Sequence, residues 1–395
     1  GDCFHRGIIM NQKLNDLWEK YYKKVYDIRH QIHMNPELGF EEYETSKLVA
    51  SELEKLGIEV TKNVAKTGVV GLIKGGYSGK TVALRADMDA LRINEEGDYE
   101  FKSKNPGVMH ACGHDGHTAS LLGVAMMLNE IKDELHGNVK LIFQPAEEAP
   151  GRAKEICQSG LLQKYSVKEV YGLHLFPELP EGTIGTRAGA FFAQPTVIHG
   201  KITGKSGHGA MPHKGVDALQ AFTKVVDAYQ TIISRNFSPF ETTALTIGKF
   251  QGGSAFNILP ETVEFWGTLR TFSQANTDFA IKRIKEIHRG IEIAYNVKIE
   301  ENLEVMYPPV TNDEKLYNKF LKTIEGIPCV EYEPLAIAED FAYYQQEVPG
   351  LFVLLGTRNE EKGFTQALHN CRFNFDEKAL LTGIEMFAKI YHNFK

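Results

Sequence analysis

The chain of 395 residues carries 44 Lys and Arg against 51 Asp and Glu, a formal net charge of -7, with 43% hydrophobic and 24% charged residues. That balance describes an ordinary globular protein and excludes a basic nucleic-acid surface, while the length favours two domains over a single core. No apolar run reaches the roughly 18 residues that span a bilayer, so no membrane partner is expected. The start shows no signal-peptide core and reads as a non-native leader over residues 1–9, with Met10 the natural initiator. Five cysteines at positions 3, 112, 157, 329 and 371 make no disulfide framework and point to a reducing cytoplasm. Cys157, Cys329 and Cys371 read as small buried hydrophobes.

Taken in chain order, Leu14, Leu17, Tyr21, Val25, Ile28 and Ile32 recur at helical spacing and predict a helix over 14–33, closed by Asn35-Pro36. A second helix is predicted over 42–56 and ends at Gly57, suited to a left-handed cap. Short β-type runs follow at Gly68–Ile73, Thr81–Ala86, Val139–Phe143 and Val167–Leu175, with an apolar helix from Thr118 between the second and third. Strands alternating with helices predict an α/β domain with a mostly parallel sheet. From about residue 195 the order changes to strand (Pro195–Thr203), helix (Asp217–Ile233), two strands (Thr242–Phe250, Thr262–Thr271), helix (276–294) and strand (296–305). That β-α-β-β-α-β order predicts an inserted ferredoxin-like α+β domain over 193–305. Residues 10–192 and 306–395 then make one discontinuous catalytic domain. Helices near 313–325 and 376–393 flank a strand at Leu351–Leu355, which is expected to rejoin the first sheet.

Ligands of an open α/β sheet bind at the carboxyl ends of its strands, and the chemistry-bearing residues cluster there. His110-Ala-Cys-Gly-His-Asp-Gly-His117 crowds thiolate, imidazole and carboxylate donors into eight positions, the donor types a borderline-soft divalent metal prefers. Gly113 permits the turn that lets Cys112 and His114 reach one ion. Taken alone, the stretch is equally a His-rich polar loop. Gln144-Pro-Ala-Glu147-Glu148 follows a predicted strand, and its paired carboxylates suit a metal ligand beside a general base or an exposed acidic loop. His174 and His369 each also read as a histidine satisfied by backbone. Together these residues supply donors for two ions, the arrangement of a dinuclear hydrolytic centre.

The motifs Leu84-Arg-Ala-Asp-Met-Asp-Ala-Leu91, Met109-His-Ala-Cys-Gly-His-Asp-Gly-His-Thr118, Gln144-Pro-Ala-Glu-Glu148, Gly172-Leu-His174, Gly207-His-Gly-Ala-Met-Pro-His213, Gly252-Gly-Ser-Ala-Phe-Asn-Ile-Leu-Pro-Glu261, Ala338-Glu-Asp-Phe341 and Leu368-His369 occur in one order. From about Gln12 to the end, the chain resembles the metallopeptidase-20 family. Within it, the chain looks like the amidohydrolase branch of hippurate, N-acyl-amino-acid and auxin-conjugate hydrolases. The resemblance implies a zinc-peptidase-like catalytic domain. It implies two divalent ions per subunit (Zn²⁺ or Mn²⁺, with Co²⁺ and Ni²⁺ also suited), and Cys112 bridging them. Glu148 and His369 would complete one site and His114 and His174 the other. Glu147 would be the general base acting on a metal-activated water. Arg85-Ala-Asp87 stands where most of the wider family has His-x-Asp, which makes Asp87 an orienter of a ligand. Glu339 and Asp340 match a motif expected to support the metal site. His208, Asn257 and Arg270 resemble substrate- and oxyanion-contacting positions of the inserted domain, Arg270 as a carboxylate grip or a strand-surface ion pair. A homodimer through that domain, which would also act as a lid, is implied as well.

The expected reaction is hydrolysis of the amide of an N-acyl amino acid (acetyl, benzoyl or aryl-acetyl) to a carboxylic acid and a free amino acid. A metallo-dipeptidase or carboxypeptidase of the same family is the alternative. Two rival classes are a thiol amidase with Cys112 as nucleophile and a non-catalytic binder of amino-acid conjugates, against which the presence of Glu147 argues.

Overall fold

The computed structural model describes residues 11–148 and 151–391; the expected leader over 1–9 lies outside them. The chain divides into two compact units. One comprises the chain up to Gly189, Thr311–Glu333 and the chain from Asp340 onward, and the other Ala190–Val310 with Pro334–Glu339. The second unit is a few residues longer at each end than the 193–305 expected. It also takes back a short later segment that no periodicity signals.

The first unit opens with α1 (Gln12–Met34), started by the Asn11 side chain, which accepts the Lys13 N–H. Then come α2 (Tyr43–Lys55), β1 (Glu59–Val64), β2 (Gly68–Lys74), β3 (Tyr77–Asp87), α3 (His114–Glu130), β4 (His136–Gln144), α4 (Ala153–Gln158), α5 (Leu161–Lys164), β5 (Val167–Pro180) and β6 (Ile184–Thr186). Next in the chain are β7 (Gly189–Phe192), β8 (Gln194–Thr203), β9 (Gly207–His208), α6 (Ala218–Thr231), β10 (Ala244–Gly252), β11 (Ile258–Leu259), β12 (Thr262–Thr271), α7 (Gln274–Tyr295) and β13 (Lys298–Val305). The remainder holds β14 (Val310–Asn312), α8 (Glu314–Thr323), β15 (Cys329–Glu331), α9 (Ala342–Glu347), β16 (Gly350–Arg358) and α10 (Lys378–Tyr391).

The described residues of the first unit form an eight-stranded sheet of order β1-β2-β4-β3-β5-β16-β6-β15. Its centre, β4-β3-β5-β16, is parallel throughout. Central parallel strands are covered on both faces and so read as continuous apolar runs; β16 is buried from Gly350 to Thr357, and the antiparallel β2 beside the centre is likewise buried from Gly68 to Ile73. The edge strand β1 is polar and mostly exposed, which is why no hydrophobic pattern announces it. α3 is buried from His114 to Leu128 and shares one apolar core with Leu14, Val25 and Ile28 of α1, Leu141 and Phe143 of β4, and Leu380 and Ile384 of α10. β16 inserts between β5 and β6, rejoining the first sheet as expected.

In the second unit, β8, α6, β10, β12, α7 and β13 follow the ferredoxin-like order, with a four-stranded antiparallel sheet β10-β12-β8-β13. Ile198, Phe222, Val225, Phe265 and Ile284 build its own core. The ribbon β9–β11, pairing His208 with Ile258, is an addition too short to show in the sequence. Cys157 is buried as expected, but Cys329 and Cys371 are only partly covered, because Cys329 opens the short edge strand β15 and Cys371 lies in a turn outside any element.

Candidate metal centre

Asp87 ends β3 and Gln144 ends β4, and the two are register partners. The residues after each strand therefore emerge side by side at the carboxyl edge of the sheet. α3 delivers its N-terminus to the same edge through Gly113, whose φ is +82°. A Cβ there would also stand 2.9 Å from Leu175 Cδ1, so both backbone conformation and space require glycine.

Several donor groups converge here among the described residues, and two of them share Cys112. Cys112, His114 and His174 form one; Cys112, Glu148 and His369 form the other. Within each group the ligand atoms lie within 4.8 Å of one another. Cys112 Sγ is 3.5 Å from His174 Nε2 and 3.3 Å from His369 Nε2, which in turn is 3.4 Å from Glu148 Oε1. Metal bonds of roughly 2.0–2.3 Å at tetrahedral angles set neighbouring donor atoms about 3.3–3.8 Å apart. His369 takes up a left-handed backbone at φ +65°, held by its N–H on the Ala111 carbonyl at 2.8 Å. Such strain in a residue with a side chain persists only where the surroundings over-determine it.

The second nitrogen of each ring fixes its tautomer. His174 Nδ1 donates to the Leu175 carbonyl at 2.8 Å, and burial pushes the ring down to a pKa of about 4, leaving Nε2 a lone pair. His114 Nδ1 donates to Asp89 Oδ1 at 3.2 Å. His117 differs, because its Nε2 accepts the Leu175 N–H at 2.9 Å while Nδ1 donates to Asp87 Oδ1 at 2.6 Å. Both of its nitrogens are spent, which makes it a strut between β5 and Asp87 rather than a metal donor.

Whether these residues suit a cation is settled by His114 Nε2. It is buried with no hydrogen-bond partner, yet it faces Asp87 Oδ2 at 3.4 Å, Glu148 Oε1 at 3.7 Å and Glu147 Oε2 at 3.9 Å. Burial alone would lower this imidazole's pKa, but Asp87, Asp89 and Glu148 reverse that and raise it to about 10. Carboxylates arranged around one nitrogen, none of them hydrogen-bonded to it, favour positive charge at a point between them. The Cys112 thiol is pushed well up by burial and by Glu148 and Glu147, the opposite of what activates a nucleophilic cysteine. A cation reverses the sign of that effect by deprotonating a coordinating thiol. The donor set fits a dinuclear centre.

Asp87 is fully buried. Desolvation would raise its pKa, and the charges of His114 and Arg85 together with the hydrogen bond from His117 hold it well below the usual carboxylate range. Arg85, standing where the wider family has histidine, donates to Asp87 Oδ2 at 3.2 Å, Asp340 Oδ1 at 2.7 Å and Gln144 Oε1 at 2.8 Å. It ties the ends of β3 and β4 to the loop that precedes α9. Asp89 is the residue that sequence reasoning left without a definite role. Besides His114, it accepts the Glu147 N–H at 3.0 Å and the Glu148 N–H at 2.9 Å. The only signal for it was its place two residues after Asp87.

The expected substrate contacts lie on the second unit. His208 is exposed on β9, with the Ala210 N–H on its Nδ1 at 3.0 Å. The Asn257 carbonyl accepts the Gly209 N–H at 2.8 Å. Arg270 donates to Thr268 Oγ1 at 3.1 Å and the Ala336 carbonyl at 3.4 Å. Among the described residues no carboxylate pairs with it, which removes the strand-surface ion pair as its explanation.

Residues 83–393 match the model of peptidase family M20/M25/M40. The chain is 40% identical over 379 residues to the IAA-amino acid hydrolase ILR1-like 4 of Arabidopsis thaliana, covering 94% of this chain and 85% of that protein. It is 41% identical over 364 residues to the thermostable carboxypeptidase 2 of Saccharolobus solfataricus, covering 91% and 92% respectively. The crystal structure of the YXEP protein of Bacillus subtilis, described as a dinuclear metal binding peptidase of the M20 family, superposes with a TM-score of 0.83. That pair is 34% identical, covering 94% of this chain and 98% of that one. The chain therefore belongs to peptidase family M20/M25/M40, as a metal-dependent hydrolase of its amidohydrolase branch.

Proposed function

We propose that this protein hydrolyses the amide bond of N-acyl amino acids at a centre of two divalent cations, zinc or manganese. Cys112 would be the ligand common to both, with His114 and His174 completing one donor set and Glu148 and His369 the other. The observation that carries this reading is the pair of donor groups with one thiol in common, walled by buried carboxylates. Bound there, two divalent cations would supply Lewis acidity toward a water and the amide carbonyl. Glu147, with Oε2 3.9 Å from His114 Nε2, takes the proton from that water and returns it to the leaving amine. Asp87 fixes His117 and the surrounding charge rather than entering the chemistry.

His208 presents Nε2–H outward, since its Nδ1 is occupied as an acceptor, a donor suited to a developing oxyanion. Asn257 lies across the same two-stranded ribbon, at the start of β11, and Arg270 is free of acidic partners to grip the substrate carboxylate. The two relatives named above each act, by their names, where the amine side of the bond is an amino acid. We carry that class to this chain.

The second unit is proposed as lid and homodimer interface. Its sheet has two edges: β13 bears Lys298, Glu300, Glu301 and Glu304, whereas β10 bears only Lys249 and exposes Phe250. A charged edge resists pairing and an apolar one invites it, so β10 is the edge offered to a second copy. Cys112, Cys157, Cys329 and Cys371 are all free, consistent with a cytoplasmic setting, and no helix among the described residues is long and apolar enough to cross a membrane.

The test is metal analysis of the purified protein followed by assay on acetyl-, benzoyl- and indole-acetyl-amino acids. Two ions per chain and release of free amino acid are expected. A chain that binds one ion or none at saturation, or cleaves none of these amides when loaded, overturns the reading.

A further inference from the structure

The loop that carries Glu147 and Glu148 is held by its backbone. Three successive N–H groups are captured by two buried carboxylates: Ala146 by Glu42 Oε1 at 2.8 Å, Glu147 by Asp89 Oδ1 at 3.0 Å and Glu148 by Asp89 Oδ2 at 2.9 Å. Ala146 sits at φ +49°, a left-handed conformation that a residue with a Cβ keeps only under constraint. Rotation about Ala146 would swing the two side chains that follow it.

Glu42 is fully buried, and its other oxygen accepts the Thr67 hydroxyl at 2.7 Å. It occupies the N-cap of α2 yet makes no capping bond there. The cap is supplied from upstream by Glu37, whose carboxylate takes the Glu44 N–H at 2.9 Å and the Thr45 N–H at 2.6 Å. An N-cap carboxylate ordinarily turns onto its own helix. Here one glutamate does that work and a second, five residues on, is turned away from the helix onto the catalytic loop. A carboxyl group buried for helix capping would be redundant at this position, since Glu37 already makes both capping bonds.

We propose that Glu42 is a positioning residue for hydrolysis: by accepting the Ala146 N–H it holds the left-handed turn that aims Glu147 and Glu148. The proposal rests on the reading of Glu147 as base and Glu148 as ligand. Glu42 touches neither substrate nor cation and acts only through the backbone of residue 146.

Two near-isosteric variants test it. Glu42→Gln keeps an acceptor for the Ala146 N–H and a donor toward Thr67, whereas Glu42→Met fills the space with neither. On the metal-loaded protein, Glu42→Met is expected to lose about 10- to 100-fold in kcat, since small misplacements of reacting groups cost that much, with KM within about 2-fold. Glu42→Gln is expected to stay within about 3-fold of the parent in kcat. Amide exchange of the metal-free proteins gives an independent reading. The Ala146 amide is expected to be protected in the parent and in Glu42→Gln, and to exchange at least about 10-fold faster in Glu42→Met. Equal kcat in the parent and Glu42→Met, or equal loss in both variants, overturns the proposal. So does rapid exchange at Ala146 in the unaltered protein, a measurement that stands even where Glu42→Met fails to fold. If the parent cleaves no N-acyl amino acid, the function proposed above fails, while the exchange comparison still decides the role of Glu42.

Discussion

The Asp89 carboxylate faces three things at once, and its contact with His114 Nδ1 at 3.2 Å is the one that turns Nε2 toward Cys112 and the surrounding carboxylates. The same side chain accepts the Glu147 and Glu148 N–H groups, so one aspartate orients two of the proposed ligands and the proposed base. Asp89→Ala should therefore weaken metal binding about 10- to 100-fold. It should also lower kcat at saturating metal, because Glu147 loses its backbone restraint. Competition with a fluorescent chelator measures the first and steady-state assay the second. Unchanged affinity would mean that His114 holds its tautomer without help.

Cys112 separates a metal hydrolase from a thiol amidase. A strong chelator should abolish activity, and Zn²⁺ or Mn²⁺ should restore it. The metal-free thiol, held protonated by burial and by Glu148 and Glu147, should react slowly with iodoacetamide at pH 7.5. Activity that survives chelation but not alkylation would reverse the assignment.

His208→Ala should lower kcat at least about 10-fold, the scale of losing one oxyanion donor or more, while metal content stays at the parent level. Metal analysis beside the assay checks this, and full turnover by the variant would end the role given to His208.

Arg29 on α1 is 1% exposed and donates to Asp115 Oδ2 at 2.9 Å, Glu377 Oε1 at 2.8 Å and Asn374 Oδ1 at 2.8 Å. Its guanidinium also lies over the Phe101 and Phe375 rings. Replacing it with methionine strands two carboxylates, one of them wholly buried beside His114. A loss of about 3–5 kcal/mol in urea unfolding is expected. A loss below about 1 kcal/mol would show that Asp115 and Glu377 find water instead.

His33 gives the protein a pH-dependent increment of stability. Its Nδ1 meets Asp115 Oδ2 at 2.8 Å and its Nε2 meets Glu95 Oε1 at 2.7 Å, so both nitrogens donate and the ring is an imidazolium. Burial lowers its pKa, but the bonds to Asp115 and Glu95 outweigh that and raise it above the usual histidine value. A raised folded-state pKa means the stabilisation is fully present below the unfolded value near 6.5 and is lost as pH rises through the folded value. The stability difference between the parent and His33→Gln, both metal-free, should thus be larger at pH 6 than at pH 9. Equal differences at the two pH values would place His33 among neutral histidines.

Much of this molecule was legible in its sequence. The helical repeat of Leu14 to Ile32, the continuous apolar run of β2 and the switch to β-α-β-β-α-β near residue 195 are local patterns. Each reports which side of an element must be buried. The donor types did the same for the centre, since Cys112, His114, Glu147, Glu148, His174 and His369 are the residues a soft divalent cation requires, and the motifs placed them in order. The tertiary structure decided which side chains hold those donors. Asp89, Glu42 and His117 act through hydrogen bonds to residues 25–104 positions away in the chain, and a hydrogen bond between distant segments leaves no periodicity behind. The left-handed turns at Ala146 and His369 are likewise invisible in residue type, because neither is a glycine. Local pattern determined the elements and the donor inventory. Only packing of the strand ends against the start of α3 converted the inventory into two donor groups meeting at one thiol.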